Sequence, residues 1–574
     1  MNAPEAEQPD RAAFEGALLS RLLSAGALDE LAAERALRLQ AGTPDTVENI
    51  LIRLGLVHER DVAQAIADEL GLKLAQATDF PDTPVLEAAS PKFLRQARVL
   101  PLAEEPECLV LAMVDPLDRQ PVNSFRLLSG KPVSVRVATP SDVELMLERL
   151  YGGAQNSMDG LVDEIDAADD LGSDEDVARL RDLASEAPVI RLVNLLIARA
   201  IEGRASDIHI EPFHNRLAVR YRIDGMMRDG AMPPARLRAA IVSRIKIMAK
   251  LNIAEHRLPQ DGRIRIAVRG KDYDLRVATV PTLHGEAVTM RILDRSSLVE
   301  DFADLGFEPD TLQRYLRLLD QPQGILLVTG PTGSGKTTTL YTSLMRLNTP
   351  EKKIFTVEDP VEYQLDGVNQ VQVKPQINLS FADILRALLR HNPDIIMIGE
   401  MRDLETAQIA IQAALTGHLV LSTLHTNNAA TSITRLLDMR VEDYLATSTV
   451  NGIAAQRLVR RLCETCRRPR QALPELVERM GLRQLVADDA TPTLYDPVGC
   501  PACQNTGFRG QTALMEVLVV SDAIRRLVLE HAEGREIQRV AVEEGMRTMY
   551  TDGLLKALKG TTTLEEVLRV TRDV

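Results

Sequence analysis

The stretch GPTGSGKTT, Gly330 to Thr338, restricts this chain to a small set of folds. An apolar run, Ile325 to Val328, precedes it and a helix-compatible segment, Thr338 to Leu347, follows. The glycine-rich turn therefore sits between a predicted strand and a helix N-terminus, the context a phosphate-binding loop requires. Gly330, Gly333 and Gly335 let the backbone turn tightly and aim N–H groups at phosphate oxygens, with Pro331, Thr332, Ser334 and Thr338 completing the cradle. Lys336 can reach the β- and γ-phosphates, and the Thr337 hydroxyl can hold Mg²⁺. The alternative, a Gly/Thr-rich surface turn, is disfavoured by the strand and helix on either side. ATP with Mg²⁺ is the expected ligand.

From about Leu305 the pattern repeats as apolar strand then helix: ILLVTG, KIFTVED, DIIMIGE and HLVLSTLH. Strands apolar on both faces and separated by helices predict a parallel sheet covered on both sides. Acidic, polar or glycine residues fall at the C-terminal strand ends, where open α/β sheets bind ligands. One such end, TVEDPVEY, supplies Glu358, Asp359 and Glu362, and a carboxylate there can orient or deprotonate the attacking water, the role expected of Glu358, with Pro360 shaping the turn. An ordinary acidic loop is the other reading. Glu400 follows the next strand, where an acid can serve Mg²⁺ or polarise the nucleophile. His418 and His425 bracket the strand after that, and the turn holding His425, Asn427 and Asn428 could sense a γ-phosphate or be a plain turn.

Cys463 and Cys466 form one CxxC pair, Cys500 and Cys503 another. Four thiolates so spaced suit tetrahedral Zn²⁺, with the 33 residues between the pairs forming an inserted arm. Unpaired buried thiols are the alternative, and a redox role lacks its thioredoxin-like context. Cys108 reads as a core residue. Five cysteines in 574 residues fit a reducing compartment. No apolar run approaches a membrane span and the polar start MNAPEAEQPDR is unlike a secretion signal, so the expectation is a cytosolic chain without its own transmembrane segment. A net charge of −15 argues against a broad nucleic-acid surface.

Before the nucleotide-binding part, residues 1–12 read as disordered and 13–152 as an adaptor domain. Two similar helical stretches, each broken by a glycine, fill 14–74 and suggest a helical-hairpin repeat. CLVLAMVD and VSVRVAT then read as strands, and SDVELMLERLY as a closing helix with a Ser cap. Residues 153–180 read as an acidic linker, with nine acids and no Lys or Arg between Ala154 and Ala178. Residues 181–300 form a second α/β unit whose alternating strands predict one wet sheet face carrying Arg220, Arg222, Arg276 and Arg291. Ordinary salt bridges would account for these arginines; guanidinium groups donated to another subunit's γ-phosphate are the functional alternative. The remainder, 301–574, is the nucleotide-binding domain, with the zinc insertion at about 457–510.

From about Leu183 onward the chain resembles the secretion and pilus ATPase superfamily. EAPVIRLVNLLIARAIEGRASDIHIEP, RLPQDGRI, GPTGSGKTTTLY, VEDPVEY, GEMRDLETAQIA, TGHLVLSTLHTNNA and AQRLVRRLCETC are most similar to the type II secretion assembly ATPase, the general secretory pathway E family. The resemblance implies an α/β architecture: an N-terminal helical and α+β adaptor, a PAS-like second domain and a RecA-like P-loop ATPase domain with a zinc insertion. It implies a homohexamer, an Asp box at Glu358 to Glu362, a Walker B acid at Glu400 and a His box around His418 and His425. It places Arg276 and Arg291 among the family arginines, with Arg386, Arg390, Arg402 and Arg435 in the motor domain. It further implies a platform protein in the inner membrane, and an anchor protein whose cytoplasmic part binds residues 14–150. His391-Asn392 and Met401 depart from the family pattern without removing a phosphate or metal ligand. The N-terminal repeat resembles a cyclic-di-GMP-binding fold of some relatives. Neither half begins with Arg-Leu-Gly, and the tripeptide at Arg53 to Gly55 ends a helix, which argues against dinucleotide binding there.

The leading expectation is thus an ATPase that drives type II secretion. A type IV pilus extension ATPase shares the chemistry. A DNA translocase would share the core fold, and the acidic balance and few aromatics weigh against it. A scaffold that binds ATP without hydrolysing it would leave Lys336, Glu358 and Glu400 without a purpose.

Overall fold

The computed structural model describes residues 11–40, 45–86, 89–151, 187–268, 271–294, 301–487 and 491–571. The expected acidic linker lies outside the described residues. The chain divides into two compact units, Met1–Arg295 and Ser296–Val574.

The first unit opens with four helices, Arg11–Ser24, Glu30–Gln40, Val47–Arg53 and Glu59–Leu70. The opening helix starts inside the stretch expected to be disordered. Arg11 holds it there, with ion pairs to Glu48 at 2.5 Å and Asp115 at 2.8 Å. Gly26 and Gly55 each close a helix with φ of +68° and +65°, and Leu28 and Val57, two residues on, are both buried. The same turn recurs in both halves because glycine alone enters the left-handed region without strain. Behind these helices lies a four-stranded sheet of β1 (Lys73–Leu74), β2 (Val99–Glu104), β3 (Leu109–Met113) and β4 (Val133–Val137), ordered β1-β4-β3-β2. The closing helix spans Pro140–Tyr151. It begins one residue before Ser141: Pro140 is its first residue, and the Thr139 hydroxyl accepts from the Asp142 N–H at 3.1 Å. Thr139 takes the place expected of a Ser cap.

The same unit then builds a six-stranded antiparallel sheet, ordered β7-β6-β5-β10-β9-β8. Its strands are β5 (Ala205–Pro212), β6 (Leu217–Ile223), β7 (Met226–Asp229), β8 (Gln260–Val268), β9 (Lys271–Thr282) and β10 (Gly285–Asp294). Helices Ala187–Glu202 and Arg238–Met248 pack with its dry face, where Ile208, Val219, Leu275, Val277 and Met290 are buried. On the other face the register places Arg263 opposite Arg276, Arg276 opposite Arg291, Arg291 opposite Asp207, and Asp207 opposite Arg222. Arg220 stands two residues from Arg222 on the same face.

The second unit is a seven-stranded sheet ordered β13-β12-β14-β15-β11-β16-β19. The strands are β11 (Gly324–Thr329), β12 (Ile354–Glu358), β13 (Asn369–Gln372), β14 (Ile395–Ile398), β15 (Leu419–Leu424), β16 (Val450–Leu462) and β19 (Phe508–Val519). All neighbours pair parallel except β19 on β16. The central strands are buried on both faces, as the continuous apolar runs require. Between β16 and β19 an inserted arm pairs β17 (Arg468–Gln471) antiparallel with β18 (Thr493–Asp496), and its Ala472, Leu482 and Leu494 are buried in the core of the unit.

Candidate functional site

Parallel pairing puts the C-terminal ends of β11, β12, β14 and β15 along one edge of the sheet. The glycine-rich loop leaves β11, Glu358 ends β12, Glu400 lies two residues past β14, and His425 directly follows β15. Loop and acids are thereby brought to the same edge, the ligand-binding edge of such sheets.

The loop itself is shaped by contacts its sequence does not contain. Gly330 has φ of +149°, and a Cβ there would lie 2.4 Å from the Gln456 carbonyl and 2.6 Å from Ser334 Oγ. Gln456, on β16, donates from Nε2 to the Ser334 carbonyl at 2.6 Å and accepts from Thr339 Oγ1 at 2.8 Å. One buried amide thus ties the loop to the first turn of the helix Lys336–Leu347. Lys336 folds back and donates to the carbonyls of Gly330 and Pro331 at 2.9 and 3.0 Å. Burial pulls its ammonium down to about 8, with Glu400 opposing that shift. Pro331, Thr332, Gly333 and Thr337 are exposed, Gly335 and Thr338 partly so, and Ser334 Oγ is buried without a partner among the described residues. An exposed glycine-rich turn at a helix N-terminus, an ammonium held by two loop carbonyls and an exposed hydroxyl at the helix start fit Mg·ATP.

The acids differ sharply. Glu358 is 3% exposed and accepts from Tyr341 Oη, from Thr356 Oγ1 at 2.5 Å and from Gln370 Nε2 at 3.1 Å. Burial raises its carboxyl above the usual range against these donors. Both of its oxygens are thus engaged within the fold. Glu362, beyond a cis Asp359–Pro360 bond, is half-buried, and its N–H donates to the same Tyr341 oxygen at 3.2 Å. Glu400 pairs with Arg402 and stands 3.4 Å from His425 Nε2. Its electrostatic effect on Lys336 makes Glu400 the acid coupled to the loop.

His418 lies at the opposite end of β15, its Nδ1 2.8 Å from the Ala413 carbonyl, so the strand separates it from His425. Asn427 accepts from Arg457 at 3.0 Å, and Asn428 caps the helix Ala429–Asp438 through the Thr431 N–H at 2.8 Å. His391 and Asn392 precede β14, at the edge away from the loop, where Asn392 adopts φ of +49°, a conformation asparagine tolerates. Met401 is a buried core residue. Arg386 pairs with Glu405, Arg390 donates to the Arg386 carbonyl, and Arg435 is exposed. In the first unit Arg291 pairs with Asp207 at 3.0 Å and is 54% exposed, which leaves part of its fork in solvent. Gln456 and Tyr341 are the residues sequence reasoning missed. Both act through contacts with distant segments, and no local pattern marks them.

Cys463 directly follows β16, and the other pair precedes β19. The four sulfur atoms lie within 4.8 Å of one another, with Cys463–Cys500 and Cys500–Cys503 at 3.8 Å and Cys466–Cys503 at 3.9 Å. Zn–S bonds of about 2.3 Å place tetrahedral sulfurs about 3.8 Å apart, so the set fits Zn²⁺. The N–H groups of Gly499, Cys500 and Gly507 point at these sulfurs at 3.2 to 3.3 Å and would help to hold thiolate charge. A bound zinc would cross-link the two ends of the arm.

Fold and loop together define a RecA-like P-loop ATPase. Residues 182–569 match the family model described as Type II/IV secretion system protein, and residues 70–157 match the MshEN domain. The chain is 55% identical over 564 residues to the type II secretion system protein E of Xanthomonas campestris, covering 97% of this chain and 99% of that one. It is 42% identical to the type IV pilus assembly ATPase PilB of Pseudomonas aeruginosa, covering 97% and 98%, and 44% identical to the type II secretion system ATPase E of Vibrio cholerae, covering 75% and 86%. The X-ray structure of the Legionella pneumophila ATPase DotB aligns with a TM-score of 0.49 at 21% identity, over 66% of this chain and 95% of that one. The chain belongs to the Type II/IV secretion system protein family, and within it to the secretion ATPases. The MshEN match covers 70–157, beginning where the helical repeat over 14–74 ends.

Proposed function

We propose that this protein hydrolyses Mg·ATP to drive pseudopilus assembly and protein export by a type II secretion system. The single observation that carries this is the convergence of the Gly330–Thr338 loop, Lys336 and Glu400 at one sheet edge, in a chain 55% identical to a type II secretion protein E. In this reading the loop N–H groups and Lys336 hold the phosphates, Thr337 and Glu400 serve Mg²⁺, and His425, 3.4 Å from Glu400, reports on the γ-phosphate. Glu358, with its oxygens engaged by three donors, positions the turn. Glu362 on that turn is the acid we assign to the attacking water. Arg276 and Arg291, neighbours across the β9–β10 register, supply positive charge to the transition state of a neighbouring subunit in a homohexamer.

Among the described residues no helix is long and apolar enough to cross a membrane, so recruitment falls to partners. The region 14–150 is assigned to the cytoplasmic part of an inner-membrane anchor, and the motor's motion to a platform protein, with the chain working in the cytoplasm at the inner membrane. A type IV pilus extension ATPase is the second reading, favoured by the 42% identity to PilB along nearly its whole length.

The test is ATP turnover against protein concentration for the wild type and for Glu400→Gln, Glu362→Gln and Arg276→Ala. Specific activity should climb with concentration and fall by about 10²-fold or more in the variants. Activity independent of concentration, with Arg276→Ala silent, would remove the shared site and leave a monomeric ATPase.

A further inference from the structure

The first unit contains a cavity of about 510 Å³ to which neither the phosphate loop nor the zinc set contributes. That volume lies within the ~300–1,000 Å³ of small-molecule sites. Helices Val47–Arg53, Pro91–Ala97, Pro140–Tyr151 and Ala187–Glu202 surround it, and β8 closes one side. Arg53, Arg95, Arg98, Arg191 and Arg244 line it with two carboxylates, Asp45 and Glu144, of which Asp45 pairs with Arg53 at 2.9 Å. In a chain of net charge −15, five guanidinium groups around one cavity run against the overall balance.

Among the lining atoms that are buried without a hydrogen-bond partner, two are of opposite kinds. Arg244 is 4% exposed; Nη1 donates to the Arg53 carbonyl at 2.9 Å, while its Nε is buried with no hydrogen-bond partner among the described residues. Burial holds its guanidinium down at about 10, with Glu59 drawing it the other way. Asn194 donates from Nδ2 to Ser141 Oγ at 3.1 Å, while its Oδ1 is buried and unpartnered. A buried cation with an unmet N–H is costly and an anion would offset that cost; the amide oxygen calls for a donor. Beside these polar groups Ile52, Leu195, Ile266 and Val268 present an apolar wall.

An occupant must therefore combine negative charge, a hydrogen-bond donor and a flat or apolar body. We propose that this cavity binds a nucleoside monophosphate, its phosphate on the arginines, its sugar hydroxyls on Asn194 and Glu144, and its base against the apolar wall. Because residues before 152 and after 186 both line it, the bound nucleotide joins the four-stranded and six-stranded sheet regions of the unit.

The test uses the full chain carrying Lys336→Ala, which disables the phosphate loop, titrated calorimetrically with AMP and with GMP. Saturable one-to-one binding of at least one nucleotide is expected, weakened about tenfold or more by Arg98→Glu and by Arg244→Met and by raised salt. Arg98 is exposed, so its variant stays interpretable if the buried Arg244→Met fails to fold. With Lys336 intact, Arg98→Glu should hydrolyse ATP at the wild-type rate, which keeps this site separate from the motor chemistry. No binding of either nucleotide at millimolar concentration, or an affinity unchanged by Arg98→Glu, would overturn the proposal.

Discussion

Gln456 shows how much of the phosphate site depends on a residue outside it. It lies 122 positions from Ser334 and 117 from Thr339, yet both contacts are buried. Gln456→Leu leaves the Ser334 carbonyl and the Thr339 hydroxyl without that partner, and each such loss costs about 1–3 kcal/mol. The Michaelis constant for ATP should rise about tenfold with a smaller change in melting temperature, and an unchanged constant would show that the loop holds its shape unaided. Lys336 makes a pH prediction. Its folded value of about 8 lies below the ordinary ~10.4, so between these values the unfolded chain binds the proton that the folded chain has lost. The contribution of Lys336 to stability therefore rises with pH across that window. Nucleotide binding needs the charged ammonium, so ATP affinity should fall as pH rises through about 8, and Lys336→Arg should abolish the midpoint. Gly330 to Thr338 and Glu400 were legible in the sequence because spacing and a preceding apolar strand mark them. The sheltering of Glu358 by Tyr341 was not, since it arises from a helix laid over a strand end.

At the scale of elements, the zinc set is a clasp at the base of the inserted arm. Cys463 and Cys466 follow one long strand, Cys500 and Cys503 precede its antiparallel neighbour, and the β17–β18 arm lies between. Purified protein should contain one zinc per chain, and Cys463→Ser should lose it, as read by atomic absorption. Proteolysis in the arm should then be faster, while the phosphate loop, none of whose residues is a zinc ligand, should still bind nucleotide. Retention of zinc in the variant would show that three thiolates suffice. The wet face of the six-stranded sheet was foreseeable from strand alternation. Its alignment of Arg263, Arg276, Arg291 and Arg222 about Asp207 was not, because register depends on pairing between strands distant in sequence. The short strand β7 also escaped notice, as four residues with two arginine-free apolar positions give too little periodicity to read.

For the whole molecule, the central expectation is a catalytic site completed by a second copy. If Arg276 acts on a neighbour's nucleotide, mixing the Arg276→Ala and Lys336→Ala proteins should restore turnover that neither shows alone, because some interfaces then pair an intact arginine with an intact loop. Additive inactivity at every mixing ratio would confine each site to one chain. The sequence by itself determined the local devices of this protein: the loop that turns on three glycines, the two CxxC pairs, the repeated helical turn at Gly26 and Gly55 and the apolar strands of a parallel sheet. These depend on the backbone freedom and polarity of residues within a few positions of one another. Only the tertiary structure decided which acid is sealed and which faces the loop, that Gln456 braces the loop, which arginines share a row, and that five arginines converge on one cavity. Each is set by how distant segments pack to bury their apolar faces, and burial is decided by the assembled sheet and its helices together.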